Sequence, residues 1–158
     1  MLFRSPWGRP EVPSLHFNVT HTEGLIALLL STEHDVGIDT ERIARAPRVL
    51  ALAPNVFAPK ELSDLFALPP EHQAHRALTL WTLKESYIKA RGMGLALALD
   101  GFAFDVGAHE TRLEVEPRLN DDGARWQFQT LTHAAHLISA AISTTERVHF
   151  EMQEAILG

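Results

Sequence analysis

WTLKESYIKARGMGL, residues 81–95, decides how the rest of the chain is read. It places Glu85 and Lys89 one helical turn apart and closes on Gly92 and Gly94. At about 100° per residue, Leu80, Leu83 and Tyr87 share one helix face, which predicts packing on a sheet. Glu85 and Lys89 fall nearly opposite, with Trp81 and Ile88 at the flank. Alone, the pair reads as a solvated Glu→Lys contact worth about 0.2–0.5 kcal/mol. Its other reading is a carboxylate completing a metal site, with an ammonium beside it to hold a phosphate.

Working outward, Pro69-Pro70 breaks the chain and the helical pattern runs over 71–91. Pro47 and Pro59 sit where short helices over 49–53 and 61–67 can begin. Residues 14–20 alternate Leu15, Phe17 and Val19 against polar neighbours, a half-buried strand. Residues 24–31 form an apolar run of strand length, which predicts a buried central strand joined to the first as a hairpin. A short strand over 36–39 follows. Beyond Gly94 the pattern predicts strands over 96–105, 112–116, 125–131, 137–143 and 148–152, with turns at 120–123 and 133–136. The class is α+β: one domain over 1–158, a mostly antiparallel sheet packed against one long helix.

The chain has 158 residues, no cysteine and a formal charge of −6. Disulfides and thiolate metal sites are excluded, and the acidic balance argues against a nucleic-acid partner. The longest apolar run is far short of the roughly 20 residues a membrane helix needs. The first 13 residues lack the apolar core of a signal peptide, so the expected location is the cytoplasm.

In GIDTE (37–41), Asp39 and Glu41 stand two apart on a strand end and so share a face. Two carboxylates there repel, and a hard cation such as Mg²⁺ or Mn²⁺ between them removes the problem. Gly37 lets another backbone or a ligand come close. The structural alternative is a pair of acids pointing into water. His21, between two hydroxyl residues, is either a turn histidine or a phosphate donor. His72/His75 and His133/His136 lack a third ligand, which argues against zinc. No Walker A loop, nucleophile elbow or dinucleotide fingerprint occurs.

Taken together and in order, GRPEVP (8–13), FNVTHT (17–22), GIDTE (37–41) and residues 81–95 resemble the 4′-phosphopantetheinyl transferase superfamily, Sfp-type. The resemblance runs from Gly8 to about Asp105, with a looser strand-rich tail. It implies the fold of that superfamily, here roughly one half of its pseudo-dimer. It implies transfer of the phosphopantetheine arm of coenzyme A to a serine of an apo acyl or peptidyl carrier protein, releasing 3′,5′-ADP. On matching positions, Asp39, Glu41 and Glu85 would bind Mg²⁺ with the coenzyme pyrophosphate. Lys89 would contact the phosphates, Thr20 and His21 the nucleotide end, and Arg9-Pro10 the adenosine part. Glu85 is the candidate general base, directly or through a bound water. Lys84 is either a phosphate contact or a helix-to-sheet tether. Arg42, Arg45 and Arg48 are candidates for docking an acidic carrier.

Thr20 and Thr22 replace the usual serines and keep the hydroxyls; Arg9 replaces a lysine and keeps the charge. The chain starts just before GRPEVP, which predicts that most of the N-terminal half is missing and that uncovered apolar surface drives self-association. Two rival readings use the same residues: a non-catalytic module binding coenzyme A or the carrier, and a metal-dependent pyrophosphate hydrolase.

Overall fold

The computed structural model describes residues 3–4, 10–11, 14–94 and 97–155. Its elements in chain order are β1 (Phe3–Arg4), β2 (Pro10–Glu11), β3 (His16–Thr22), β4 (Leu25–Ser31), β5 (Val36–Arg42), α1 (Ala46–Val56), α2 (Pro59–Phe66) and α3 (Pro70–Arg91). There follow β6 (Phe102–Val106), β7 (Thr111–Val115), β8 (Trp126–His133) and β9 (His136–Ser143). All strand pairs are antiparallel: β1-β2, β3-β4, β6-β7 and the three-stranded β5-β9-β8. The class is α+β, as the periodicity predicted, and no helix among the described residues is long and apolar enough to cross a membrane.

The long helix α3 starts on Pro70, whose fixed φ suits a first turn. It ends where Gly92 turns left-handed (φ 66°) and donates its N–H to the Ile88 and Lys89 carbonyls. From Ala77 to Ala90 it is buried on nearly every side. The expected sheet-facing stripe of Leu80, Leu83 and Tyr87 is buried, and the other sides are covered too: α1 and β6 on one side, β5 and β9 on another. Tyr87 packs edge-on against Phe102 (4.9 Å) and Trp126 (5.2 Å) at the centre of this core.

Gly37 sets how close α3 and β5 come. A Cβ at that position would lie 2.0 Å from the Ser86 carbonyl oxygen and 2.5 Å from the Ala90 nitrogen. Both atoms are helix backbone, so only glycine permits the contact. Residues 37, 39 and 41 share one strand face, so the approach that Gly37 allows turns Asp39 and Glu41 toward the same helix.

Three expected strands differ. β4 is not a buried central strand: among the described residues it pairs with β3 alone, and Ile26 (70%), Leu28 (53%) and Leu30 (54%) are exposed on its outer face. An apolar run of seven fits a strand buried on one face or on two, and length does not separate them. Of residues 96–105, Ala96 lies outside the described residues, and 97–101 turn instead, with Gly101 N–H bonded to the Ala98 carbonyl, so β6 begins at Phe102. Residues 148–152 form no ladder; Val148 N–H donates to the Gln127 side chain instead.

Candidate functional site

β5 brings Asp39 and Glu41 to α3, and β3 lies along the other side of β5, held by Ile38 N–H donating to Asn18 Oδ1 (2.9 Å). Thr20 of β3 is buried and donates to Asp39 Oδ1 (3.4 Å). Lys89 of α3 reaches Asp39 Oδ1 at 2.6 Å, and its ammonium also donates to the Ile38 carbonyl (3.1 Å) and Thr20 Oγ1 (3.3 Å). Three elements thus converge on one carboxylate.

That carboxylate is only half satisfied. Asp39 Oδ2 is buried and has no hydrogen-bond partner among the described residues. Burial raises the Asp39 carboxyl to about 6; Lys89 opposes the shift, and Glu85 and Glu41 add to it. Glu85, one turn before Lys89, makes no hydrogen bond or ion pair among the described residues. Burial likewise raises its pKa, Lys89 opposing and Glu41 reinforcing. Glu41 is held by Arg45, whose Nη1 lies 2.6 Å from Oε1 and 2.5 Å from Oε2.

Among the described residues no group of three or more histidines, aspartates or glutamates is arranged to hold a metal ion as it stands. Lys89 contacts Asp39 and Arg45 contacts Glu41, and each cation offsets the repulsion among the acids. In its chemistry the donor set nonetheless suits a divalent cation. It consists of hard oxygens, one of them buried and unpartnered, and a second carboxylate without a partner. A lone buried oxygen costs about 1–3 kcal/mol unless something meets it.

The other predicted residues fall elsewhere. His21 follows Thr20 and so points to the opposite face of β3, where it is exposed beside its register partner Ile26. The structure does not bring it to Asp39. Pro10 lies in β2 opposite Arg4, and Arg9 is outside the described residues. Arg42 is paired with Glu23 and Arg45 with Glu41, while Arg48 is exposed on α1.

Of the two readings of Lys84, the geometry favours the helix-to-sheet tether over the phosphate contact. Its Nζ is buried, 2.9 Å from Glu61 Oε2 and 2.8 Å from both the Leu99 and Phe102 carbonyls. All three ammonium donors are used, which leaves none for a phosphate. Glu61 in turn accepts from Ala58 N–H (2.8 Å) and Phe104 N–H (2.9 Å), tying α2 to β6. The Pro59-x-Glu61 order marks a helix start in the sequence, but nothing local announces the buried lysine partner.

A second group went unread. Asp121 Oδ2 accepts from Tyr87 Oη (2.7 Å), Arg91 Nη1 (2.8 Å) and Trp126 Nε1 (2.9 Å). These donors hold its pKa below the usual value against the upward pull of burial. They clamp the end of α3 to the 120–123 turn, which sequence reading had identified only as a turn.

Residues 35–144 match the model of the 4′-phosphopantetheinyl transferase superfamily. A 4′-phosphopantetheinyl transferase of Bacillus subtilis is 36% identical over 120 residues, covering 74% of this chain and 46% of its own length. The holo-[acyl-carrier-protein] synthase of Thermotoga maritima superposes with a TM-score of 0.58 at 18% identity, over 71% of this chain and 64% of its own. A holo-(acyl-carrier-protein) synthase of Bacillus anthracis, solved in complex with CoA (3′,5′-ADP), gives 0.57 at 13% identity, over 68% and 93%. The chain spans about half the length of the curated relatives it matches.

Proposed function

Because the chain belongs to the 4′-phosphopantetheinyl transferase superfamily, we propose that it moves the phosphopantetheine arm of coenzyme A onto a serine of an apo carrier protein, with Mg²⁺. The observation that carries this reading is the meeting of Asp39, Glu85 and Lys89, with Asp39 Oδ2 buried and unpartnered. A site that transfers a phosphoryl-linked group has to neutralise oxygen charge, align a hydroxyl and accept its proton. Asp39 Oδ2, Glu85 and Glu41 are the oxygens that would hold the cation. Bound there, Mg²⁺ would neutralise charge on the pyrophosphate.

The remaining work falls to the chain's own groups. Lys89 Nζ, already 27% exposed as a side chain, turns from Asp39 to a pyrophosphate oxygen. Thr20 Oγ1 fixes the Asp39 carboxylate and the lysine at once. Glu85 accepts the serine proton, directly or through a bound water. The serine oxygen forms the new bond to phosphorus as the pyrophosphate P–O bond breaks and 3′,5′-ADP departs. In this reading His21 and Arg9-Pro10 serve the nucleotide end.

The test is the mass of an apo carrier protein after incubation with coenzyme A, Mg²⁺ and the protein. The expected outcome is a gain equal to phosphopantetheine. Release of phosphopantetheine into solution with the carrier unmodified would replace transfer with hydrolysis. Coenzyme A binding without either product would leave a binding module.

A further inference from the structure

We propose that Arg45 is a metal-released docking residue, so that divalent-cation binding and docking of an acidic partner reinforce each other. This rests on the cation site described above. Arg45 closes the one-turn 3₁₀ segment Ile43–Arg45, four residues beyond Glu41, and its guanidinium spans both Glu41 oxygens. The two ends of this contact differ in setting. The Glu41 side chain is 11% exposed and faces the acid group, whereas that of Arg45 is 44% exposed and faces outward. Arg45 is therefore the counter-ion of a buried-side carboxylate and a surface cation at once.

A charge-assisted contact to both oxygens lowers the capacity of Glu41 to serve as a ligand. A divalent cation between Asp39, Glu85 and Glu41 competes with the guanidinium for the same lone pairs. When the cation wins, Arg45 loses its carboxylate and becomes an unpaired surface charge. The neighbouring cations differ from it. Arg42 keeps its own partner in Glu23, and Arg48, exposed on α1, makes no ion pair among the described residues. Cation binding thus raises the positive charge beside Arg48, and an acidic protein surface recovers the lost contact. By linkage the partner must tighten cation binding by the factor that the cation tightens the partner, typically about 5–150-fold for such couplings.

Mn²⁺ binding, read from the free-ion EPR signal, tests the first half. Arg45→Gln should bind Mn²⁺ at least about fivefold tighter than the unsubstituted protein, while Arg42→Gln, which removes an equal charge three residues away, should not. The second half is read as the affinity of an apo carrier protein with and without Mn²⁺. The unsubstituted protein should gain with the ion, and Arg45→Gln should show no gain. Equal Mn²⁺ affinity in Arg45→Gln and the unsubstituted protein overturns the proposal, as does an equal increase in Arg42→Gln. Carrier affinity indifferent to Mn²⁺ in the unsubstituted protein also overturns it. If that protein binds no Mn²⁺ at all, the cation site falls and the proposal with it.

Discussion

Helix α3 carries two lysine–carboxylate pairs five residues apart, on opposite sides of the helix, and they are built to opposite rules. Lys84 and Glu61 are 1% and 0% exposed, and every donor and acceptor of the pair is used. Lys89 and Asp39 are 27% and 10% exposed, and one Asp39 oxygen is left without a partner. Two pairs of the same chemistry, one buried and one partly exposed, therefore do different work. The complete one fixes α2, α3 and β6 together; the incomplete one keeps an oxygen and an ammonium available to something outside the chain.

The largest effect should follow from breaking the complete pair. Lys84→Met leaves the Glu61 charge buried and uncompensated, and should cost about 3–5 kcal/mol in urea unfolding. A cost below about 1 kcal/mol would erase the distinction between the pairs. Gly37→Ala should come next, at about 1–3 kcal/mol, because the added Cβ meets helix backbone at 2.0 and 2.5 Å. It should also weaken coenzyme A binding, since pushing α3 from β5 parts Lys89 from Asp39.

The incomplete pair should respond in the other direction. Asp39→Asn should leave stability unchanged or raise it by about 1 kcal/mol at neutral pH while removing Mg²⁺ binding. The sign follows from titration. The folded Asp39 carboxyl is raised from 3.8 to about 6, so its contribution to stability is full below the unfolded value and is lost as pH rises through the folded one. Unfolding curves should therefore show the native protein losing stability relative to Asp39→Asn between about pH 4 and 6. Lys89 on α3, Glu85 beside it, Glu41 on β5 and Thr20 on β3 are the groups that set this window. An equal pH dependence in the two proteins would assign the titration elsewhere.

The comparison also explains what could be read from residues alone. Helix α3, strand β5 and the β3-β4 hairpin follow from periodicity and from the glycine and proline punctuation. A two-residue strand step puts Asp39 and Glu41 on one face and a helical turn does the same for Glu85 and Lys89, but only the resemblance carried by the ordered motifs joined the two sets. Lys84 was legible only as one of two alternatives: its tether to β6 was foreseen, but its carboxylate partner lies on α2, which nothing local announces. The burial of α3 on nearly all sides depends on Gly37, Phe102 and Trp126 arriving from distant segments. β4 misled for the converse reason, since an apolar run does not say how many faces are covered. His21 fell on the far side of β3 because one residue of register reverses a strand side chain.

The central claim is that the β5–α3 contact is a joint site for a divalent cation and the coenzyme pyrophosphate. Its most direct measurement is the calorimetric affinity for coenzyme A with and without Mg²⁺, in the unsubstituted protein, Asp39→Ala and Glu85→Gln. The account predicts about a tenfold or greater gain with Mg²⁺ in the unsubstituted protein, worth about 1.4 kcal/mol, and no gain in either variant. A Mg²⁺-dependent gain that survives both substitutions would contradict it.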